Sequence, residues 1–145
     1  MADPAAAQIK RIDSTDPVQR ALLQWIQLAT LPGDEPINCD EGAWWVAYVG
    51  GAPVGFGGVK PSSQFANCGY LCRSGVIPSH RGRGLQKRLI RAREQYAKRQ
   101  GWEWLLTDTC DNPASANSLA SMGYRMYQPR RPWALPRSLY WRKKL

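Results

Sequence analysis

Apolar residues recur at helical spacing in one stretch above all others. Leu85, Leu89, Ala92 and Tyr96 fall at i, i+4, i+7 and i+11, and Lys87, Arg91 and Lys98 point the opposite way. That period predicts a helix over about 85–100, ended by Gly101. An earlier helix is expected from Pro17 to about Thr30. Asp16-Pro17 supplies an N-cap followed by proline at the first helical position, and Leu22, Trp25 and Ile26 are expected to face inward. A third, short helix should begin at Pro113, be capped by Asp111 or Asn112, and stop at Gly123.

Between these lie runs of strand character. Ile9–Ile12 reads as a short first strand. Trp44–Val49 is rich in aromatic and β-branched residues. Gly50-Gly51 is a hairpin signal, and Pro53–Val59 is the return strand, whose Gly55, Gly57 and Gly58 imply something packed close to the backbone. In Asn67–Ile77, simple alternation puts Tyr70, Cys72, Ser74 and Val76 on one face. Trp102–Thr109, Tyr124–Gln128 and Ser138–Lys143 complete the strands, with loops at 31–42 and 129–138. Strand–helix–strand around residues 78–84 implies one parallel βαβ unit with a right-handed crossover, and the other neighbours should be antiparallel.

At 145 residues the chain is expected to be a single domain, 1–145. Seven Trp and six Tyr are read mainly as core and sheet packing. Cys39, Cys68, Cys72 and Cys110 show no C-x-x-C spacing, so no metal site is expected, and they read as reduced thiols of a cytoplasmic protein. Met1–Gln8 lacks a basic, apolar leader pattern, and no apolar run approaches the roughly 20 residues of a membrane helix. Charge is uneven. Residues 1–72 hold four basic and seven acidic residues, and residues 73–145 hold 16 basic and four acidic. The second half therefore attracts a polyanion, either a nucleic acid or a phosphate-rich cofactor.

The segment Val76-Ile77-Pro78-Ser79-His80-Arg81-Gly82-Arg83-Gly84-Leu85 has the physical logic of an anion site. Glycines allow a tight turn with exposed N–H groups, and the helix that starts there adds the positive end of its dipole, which suits phosphate or pyrophosphate. No Walker pattern is present, and Lys87 stands where a dinucleotide fingerprint needs its third glycine.

This turn resembles the acetyl-CoA motif of the GNAT superfamily of N-acetyltransferases, V-x-P-x-x-R-G-x-G-L. Its core pattern, Arg/Gln-x-x-Gly-x-Gly/Ala, appears as Arg81, Gly84 and Gln86, with Gln86 replacing a small residue. Asn112-Pro113-Ala114 through Gly123-Tyr124 resembles the family's N-x-A-x(8)-G-F/Y segment. The resemblance covers about residues 43–145. It implies an α/β (α+β) GNAT fold: a mixed, mostly antiparallel six- to seven-stranded sheet with a central parallel βαβ unit, flanked by about four helices. It also implies that acetyl-CoA is the cosubstrate. Gly75, Val76 and Ile77 would face the pantetheine and thioester. Arg81, Gly82, Arg83, Gly84, Leu85 and Gln86 would hold the pyrophosphate. Asn112, with Asn117 and Ser118, would meet the cofactor arm. Lys87 and Arg88 are further phosphate candidates.

The resemblance implies transfer of an acetyl group to the primary amine of a small-molecule acceptor, by direct attack in a ternary complex. The amine must lose a proton, and the developing oxyanion needs a donor, which the N–H of Val76 or Ile77 offers. The family's usual acid–base positions hold other residues here. Leu119 stands where many members have Tyr, and Thr107 stands where some have Glu. Tyr70, Cys72 and Tyr124 remain as catalytic candidates, with a water chain as an alternative base. Asp108 ranks lower because it points to the other face from Thr107. His80, the sole histidine, lies in the phosphate turn. Asp34, Glu35, Asp40 and Glu41 form an acidic loop that would favour a cationic amine, and Trp44, Trp45, Phe65 and Trp133 are candidates to stack on an acceptor. Two alternatives stay open: a GNAT-fold protein that binds CoA without catalysis, and a basic nucleic-acid-binding module. A homodimer is a further expectation.

Overall fold

The computed structural model describes residues 6–145. The expectation for the leader region therefore falls partly outside the described residues, at 1–5. The chain forms β1 (Ala7–Arg11), α1 (Pro17–Thr30), β2 (Ala43–Val49), β3 (Ala52–Pro61), β4 (Cys68–Val76), α2 (Leu85–Arg99), β5 (Trp104–Thr109), α3 (Pro113–Ser121), β6 (Arg125–Tyr127) and β7 (Leu139–Lys144). A one-turn 3₁₀ helix, Pro78–His80, precedes α2. No helix among the described residues is long and apolar enough to cross a membrane.

The strands make one seven-stranded sheet in the order β1-β2-β3-β4-β5-β7-β6. Every neighbouring pair is antiparallel except β4–β5. This is the mixed α/β arrangement the sequence implied, with α2 as the crossover of the parallel unit.

The sheet separates two cores. Trp45, Val54, Val59, Leu71, Leu89 and Leu105 belong to the core on the α2 face. Leu23, Ile26, Trp44, Val46 and Phe56 belong to the core under α1. With both faces covered, Ala43–Ala47 is buried without interruption.

In α1 the Asp16 carboxylate accepts from the N–H of Val18 at 3.0 Å, which caps the helix before Pro17. The inward stripe is Leu23, Ile26, Gln27 and Thr30, at i, i+3, i+4 and i+7. The expected stripe is corrected accordingly: Trp25 is 55% exposed and Leu22 only partly buried. The stripe tolerates Gln27 because its amide is fully used. Nε2 donates to Glu35 O at 2.6 Å, and Oε1 accepts from the Ile37 N–H at 2.8 Å. A buried side chain of α1 thus pins the acidic loop to the fold.

The close approaches expected in β3 are present. A Cβ on Gly58 would lie 2.4 Å from the Trp44 ring, and one on Gly57 would lie 3.1 Å from the Arg93 guanidinium. The hairpin turn Gly50-Gly51 has φ of 59° and 79°, the left-handed pair that two-residue hairpin loops favour.

Simple alternation fails in β4. Gly57 pairs with Ser74 and Val59 with Leu71, so Cys72 and Arg73 together oppose Gly58. The bulge reverses parity. Tyr70 and Cys72 stay on the α1 side, whereas Ser74, opposite Gly57, and Val76 turn toward α2. The expected single face of Tyr70, Cys72, Ser74 and Val76 is therefore split in two.

Candidate active site

The site begins where β4 and β5 part. Their parallel register runs only through Cys68↔Trp104, Gly69↔Leu105 and Tyr70↔Leu106, although both strands continue beyond it. The gap opens into a cavity of about 240 Å³ lined by Tyr70–Ser74 and Thr107–Cys110, with Asp34, Gln86, Ile90, Arg93, Asn112 and Leu119 among the rest. A second cavity of about 450 Å³ lies at the start of α2. The two share Leu31, Ser74, Gln86, Asn112, Ser115 and Ser118, so they form one continuous path from the basic turn into the split sheet.

The larger cavity is built for an anion. Gly82 and Gly84 have φ of 77° and 78°, and Gly84 caps α2 in the left-handed conformation without a side-chain bond. The first helical bond runs from Arg88 N to Gly84 O. No main-chain N–H from Gly82 to Lys87 finds an acceptor among the described residues. These donors stand at the positive end of a 15-residue helix. A Cβ on Gly82 or Gly84 would meet nothing within 4 Å, so the space beside them is open. Arg81 braces the turn from behind, its Nε donating to Val76 O at 3.0 Å.

The expected cofactor residues are distributed as follows. Gly75, Val76, Arg81, Gly82, Gly84, Leu85, Gln86, Asn112 and Ser118 line this cavity, as do His80 and Lys87. Ile77 packs against both cores, and Arg83 and Asn117 lie outside both linings. Arg88 is turned away, donating to Ala7 O at 2.8 Å. Asn112 caps α3 by accepting from Ser115 N–H at 3.1 Å, which leaves its amide NH₂ free to face the path. Thr30 and Leu31, at the end of α1, also line the cavity. A Cβ on Gly75 would lie 2.7 Å from the Thr30 side chain, so a glycine is needed there for α1 to close against β4.

The smaller cavity holds the polar groups. The Tyr70 hydroxyl donates to Asp108 Oδ2 at 2.7 Å, and Trp133 Nε1 donates to the same oxygen at 3.3 Å. Oδ1 takes no hydrogen bond from the described residues. Burial first, then the bond to Asp108 and its charge, push the Tyr70 phenol far above its ordinary pKa. Burial likewise raises the Cys72 thiol, opposed by the nearby Arg93 charge. Tyr124 is 3% exposed, donates to Glu94 at 2.8 Å and lies outside both cavity linings.

The structure thus brings Tyr70 and Cys72 together and leaves Tyr124 apart. It also brings Asp108 beside Tyr70. Register holds the clue: with Tyr70 beside Leu106, Asp108 falls on the face of Tyr70, and the diverging strands expose Thr107 as well. Trp44 and Trp45 are core residues, whereas Trp133 stacks edge-on with Tyr140 at 4.7 Å and Phe65 at 6.4 Å beside the site.

The sheet is thus split along its parallel pair, with a row of free amides at the head of the crossover helix. A model of the acetyltransferase (GNAT) family matches residues 11–124, and the chain belongs to that family, a family of acyltransferases. No curated protein matches it by sequence. Among solved structures it is similar to the IAA acetyltransferase from Bacillus cereus, with 17% identity, 97% of this chain and 100% of the other covered, and a TM-score of 0.74. It is also similar to yncA from Salmonella typhimurium, solved with its cofactor acetyl-CoA, with 18% identity, 96% and 94% covered, and a TM-score of 0.73. A third is the aminoglycoside N-acetyltransferase AAC(6')-Iy in complex with CoA, with 19% identity, 91% and 96% covered, and a TM-score of 0.73.

Proposed function

We propose that this chain is an N-acetyltransferase that takes its acetyl group from acetyl-CoA and delivers it to a primary amine of a small cationic acceptor. The observation that carries this is the row of free amides from Gly82 to Lys87, at the mouth of a path that runs into the split between β4 and β5. Open space at Gly82 and Gly84, and the charge of Lys87 beside them, fit a diphosphate. Gln86, where the family has a small residue, stands at the junction of the two cavities and adds a side-chain amide to the path.

Acetyl-CoA supplies the activated thioester when bound. The protein's own residues do the rest. Gly75 and Val76 lie on the wall of the path, and Asn112 offers its amide to the cofactor arm. Asp34 and Asp108 place two carboxylates on the inner cavity, which suit an ammonium, while Arg73 and Arg93 line the same cavity. Asp108 Oδ1 has a free lone pair to hold the acceptor nitrogen and receive its proton. Tyr70 stays protonated, so it fixes Oδ2 and keeps Oδ1 turned to the acceptor. Cys72 is held as a neutral thiol with no histidine among the residues of its cavity, which favours direct attack by the amine over an acetyl-cysteine route.

Calorimetry with acetyl-CoA and CoA, followed by a mass-spectrometric screen of amines, tests the proposal. Heat with both ligands and an acetylated amine product are expected. Heat without product across amino acids, polyamines, aminoglycosides, peptides and modified nucleosides would favour a binding protein without catalysis.

A further inference from the structure

Arg93 is 2% exposed, yet it lines the inner cavity. Nε donates to Leu89 O at 3.1 Å, and one terminal nitrogen donates to Gly58 O at 3.1 Å. Gly58 is the residue of β3 that the β4 bulge leaves without a register partner, so Arg93 takes up its carbonyl. Gly57 makes the room, since any side chain there would meet the guanidinium. The cation is therefore fixed beneath the bulge, beside Cys72 and Ser74.

It has no counter-ion. None of the ion pairs among the described residues includes Arg93. Cys72 from β4, Glu94 from its own helix and Tyr124 from beyond α3 are the titratable groups near enough to act on it. The Glu94 carboxylate is already shared by Lys143 at 2.9 Å and Tyr124 at 2.8 Å. Burying an unpaired cation is costly, and a well-packed apolar side chain of like volume is often the more stable choice. A charge kept there points to a negative charge that forms in the cavity. Leu119, where the family's pattern supplies a tyrosine proton donor, lines the same cavity.

We propose that Arg93 stabilises the negative charge that collects on sulfur as the acetyl group leaves, in place of a proton donor. The inference rests on the acetyltransferase reading above. The acceptor's lone pair forms the new C–N bond, the C–S bond breaks, and its electron pair stays on sulfur. Before attack the ammonium form of the acceptor gives one proton to Asp108, which passes it to water; the surplus proton left on nitrogen after attack takes the same route. A fixed cation in dry surroundings acts on such a charge far more strongly than one in water.

The test is the ionisation of the CoA thiol in the complex, read from thiolate absorbance. The same titration with desulfo-CoA is subtracted to remove the four protein cysteines. In the native protein the bound thiol should titrate about one pH unit or more below free CoA. Arg93→Lys should keep most of that shift, and Arg93→Met should abolish it. The methionine variant should also lose roughly tenfold or more in kcat, in step with the lost shift, with little change in KM for acetyl-CoA. The variant also leaves the Gly58 carbonyl without its donor, so its melting temperature is measured and the kinetics are read at a temperature where it is folded. If that variant does not fold, the native complex alone decides: a bound thiol that titrates at or above free CoA overturns the proposal. Failure of CoA to bind would sink the cofactor reading and this inference together, whereas binding with an unshifted thiol sinks the role of Arg93 alone.

Discussion

The Tyr70 hydroxyl donates to Asp108 Oδ2 across 2.7 Å, joining β4 to β5 just where their main chains separate. In the proposed reaction the bond spans the gap where the acceptor would enter. It also orients the carboxylate so that one oxygen is occupied and the other free. Asp108→Asn replaces a proton acceptor with a group that cannot take a proton, so kcat/KM should fall by about 10²–10⁴. Tyr70→Phe removes the orienting bond but leaves the carboxylate, so its loss should be smaller, about tenfold. Steady-state kinetics on both variants check this order. A larger loss in Tyr70→Phe would mean that the phenol acts on the reacting groups itself.

Acceptor charge should be read by the cavity rim. Asp34 lines the inner cavity from the loop that Gln27 pins in place. Asp34→Asn should raise KM for a cationic amine several-fold, with kcat nearly unchanged, because an exposed charge contributes modest attraction. Added salt should reproduce the effect in the native protein and have little effect in the variant. An unchanged KM would move the source of acceptor selectivity elsewhere.

The anion turn makes a conformational prediction. Gly84 adopts φ 78° at the head of α2, with open space where a Cβ would go. Gly84→Val should cost about 1–2 kcal/mol of stability, because a branched residue resists the left-handed region. It should also weaken CoA binding more than tenfold, since the added side chain occupies the space in front of the free amides. Calorimetry and thermal melting separate the two effects. Gly33, also with no atom within 4 Å of a built Cβ and without a positive φ, serves as the control: Gly33→Ala should leave both unchanged.

Much of this was legible because local rules and tertiary demands agreed. Asp16-Pro17, Gly50-Gly51 and the Val76–Leu85 turn each act through their own backbone, so their residue types announce them. The errors arose where one element depends on another. Alternation in β4 failed because the bulge opposite Gly58 is held by Arg93, distant in sequence. The expected inward stripe of Leu22, Trp25 and Ile26 is off in phase, because the helix is phased by Leu23 and Ile26 fitting the sheet. That Asp108 meets Tyr70 is not legible in the sequence, because its face depends on the β4–β5 register and the splay beyond it, which strand composition does not encode. Thr30 and Leu31 reach the site only through α1 docking, against a glycine 45 residues further on from Thr30.

Alkaline stability provides a test of the packing around two phenols, Tyr124 buried and Tyr70 half-buried. Burial pushes the pKa of Tyr124 upward, and the Glu94 charge and hydrogen bond push it the same way. Tyr70 is raised by burial and by Asp108. In both, the folded protein holds the proton more tightly than the unfolded chain, whose phenols ionise near the ordinary value of about 10. Their contribution is therefore complete below about pH 10 and is lost as pH rises further, because the unfolded state gains by releasing protons that the folded state keeps. Chemical denaturation from pH 8 to 11 should show stability falling above pH 10. Tyr124→Phe should lose stability at pH 8, where the hydrogen bond to Glu94 is removed, yet show a shallower decline above pH 10. The shallower slope is the decisive measurement: an identical slope in native and variant proteins would mean that Tyr124 ionises as freely in the fold as in the open chain.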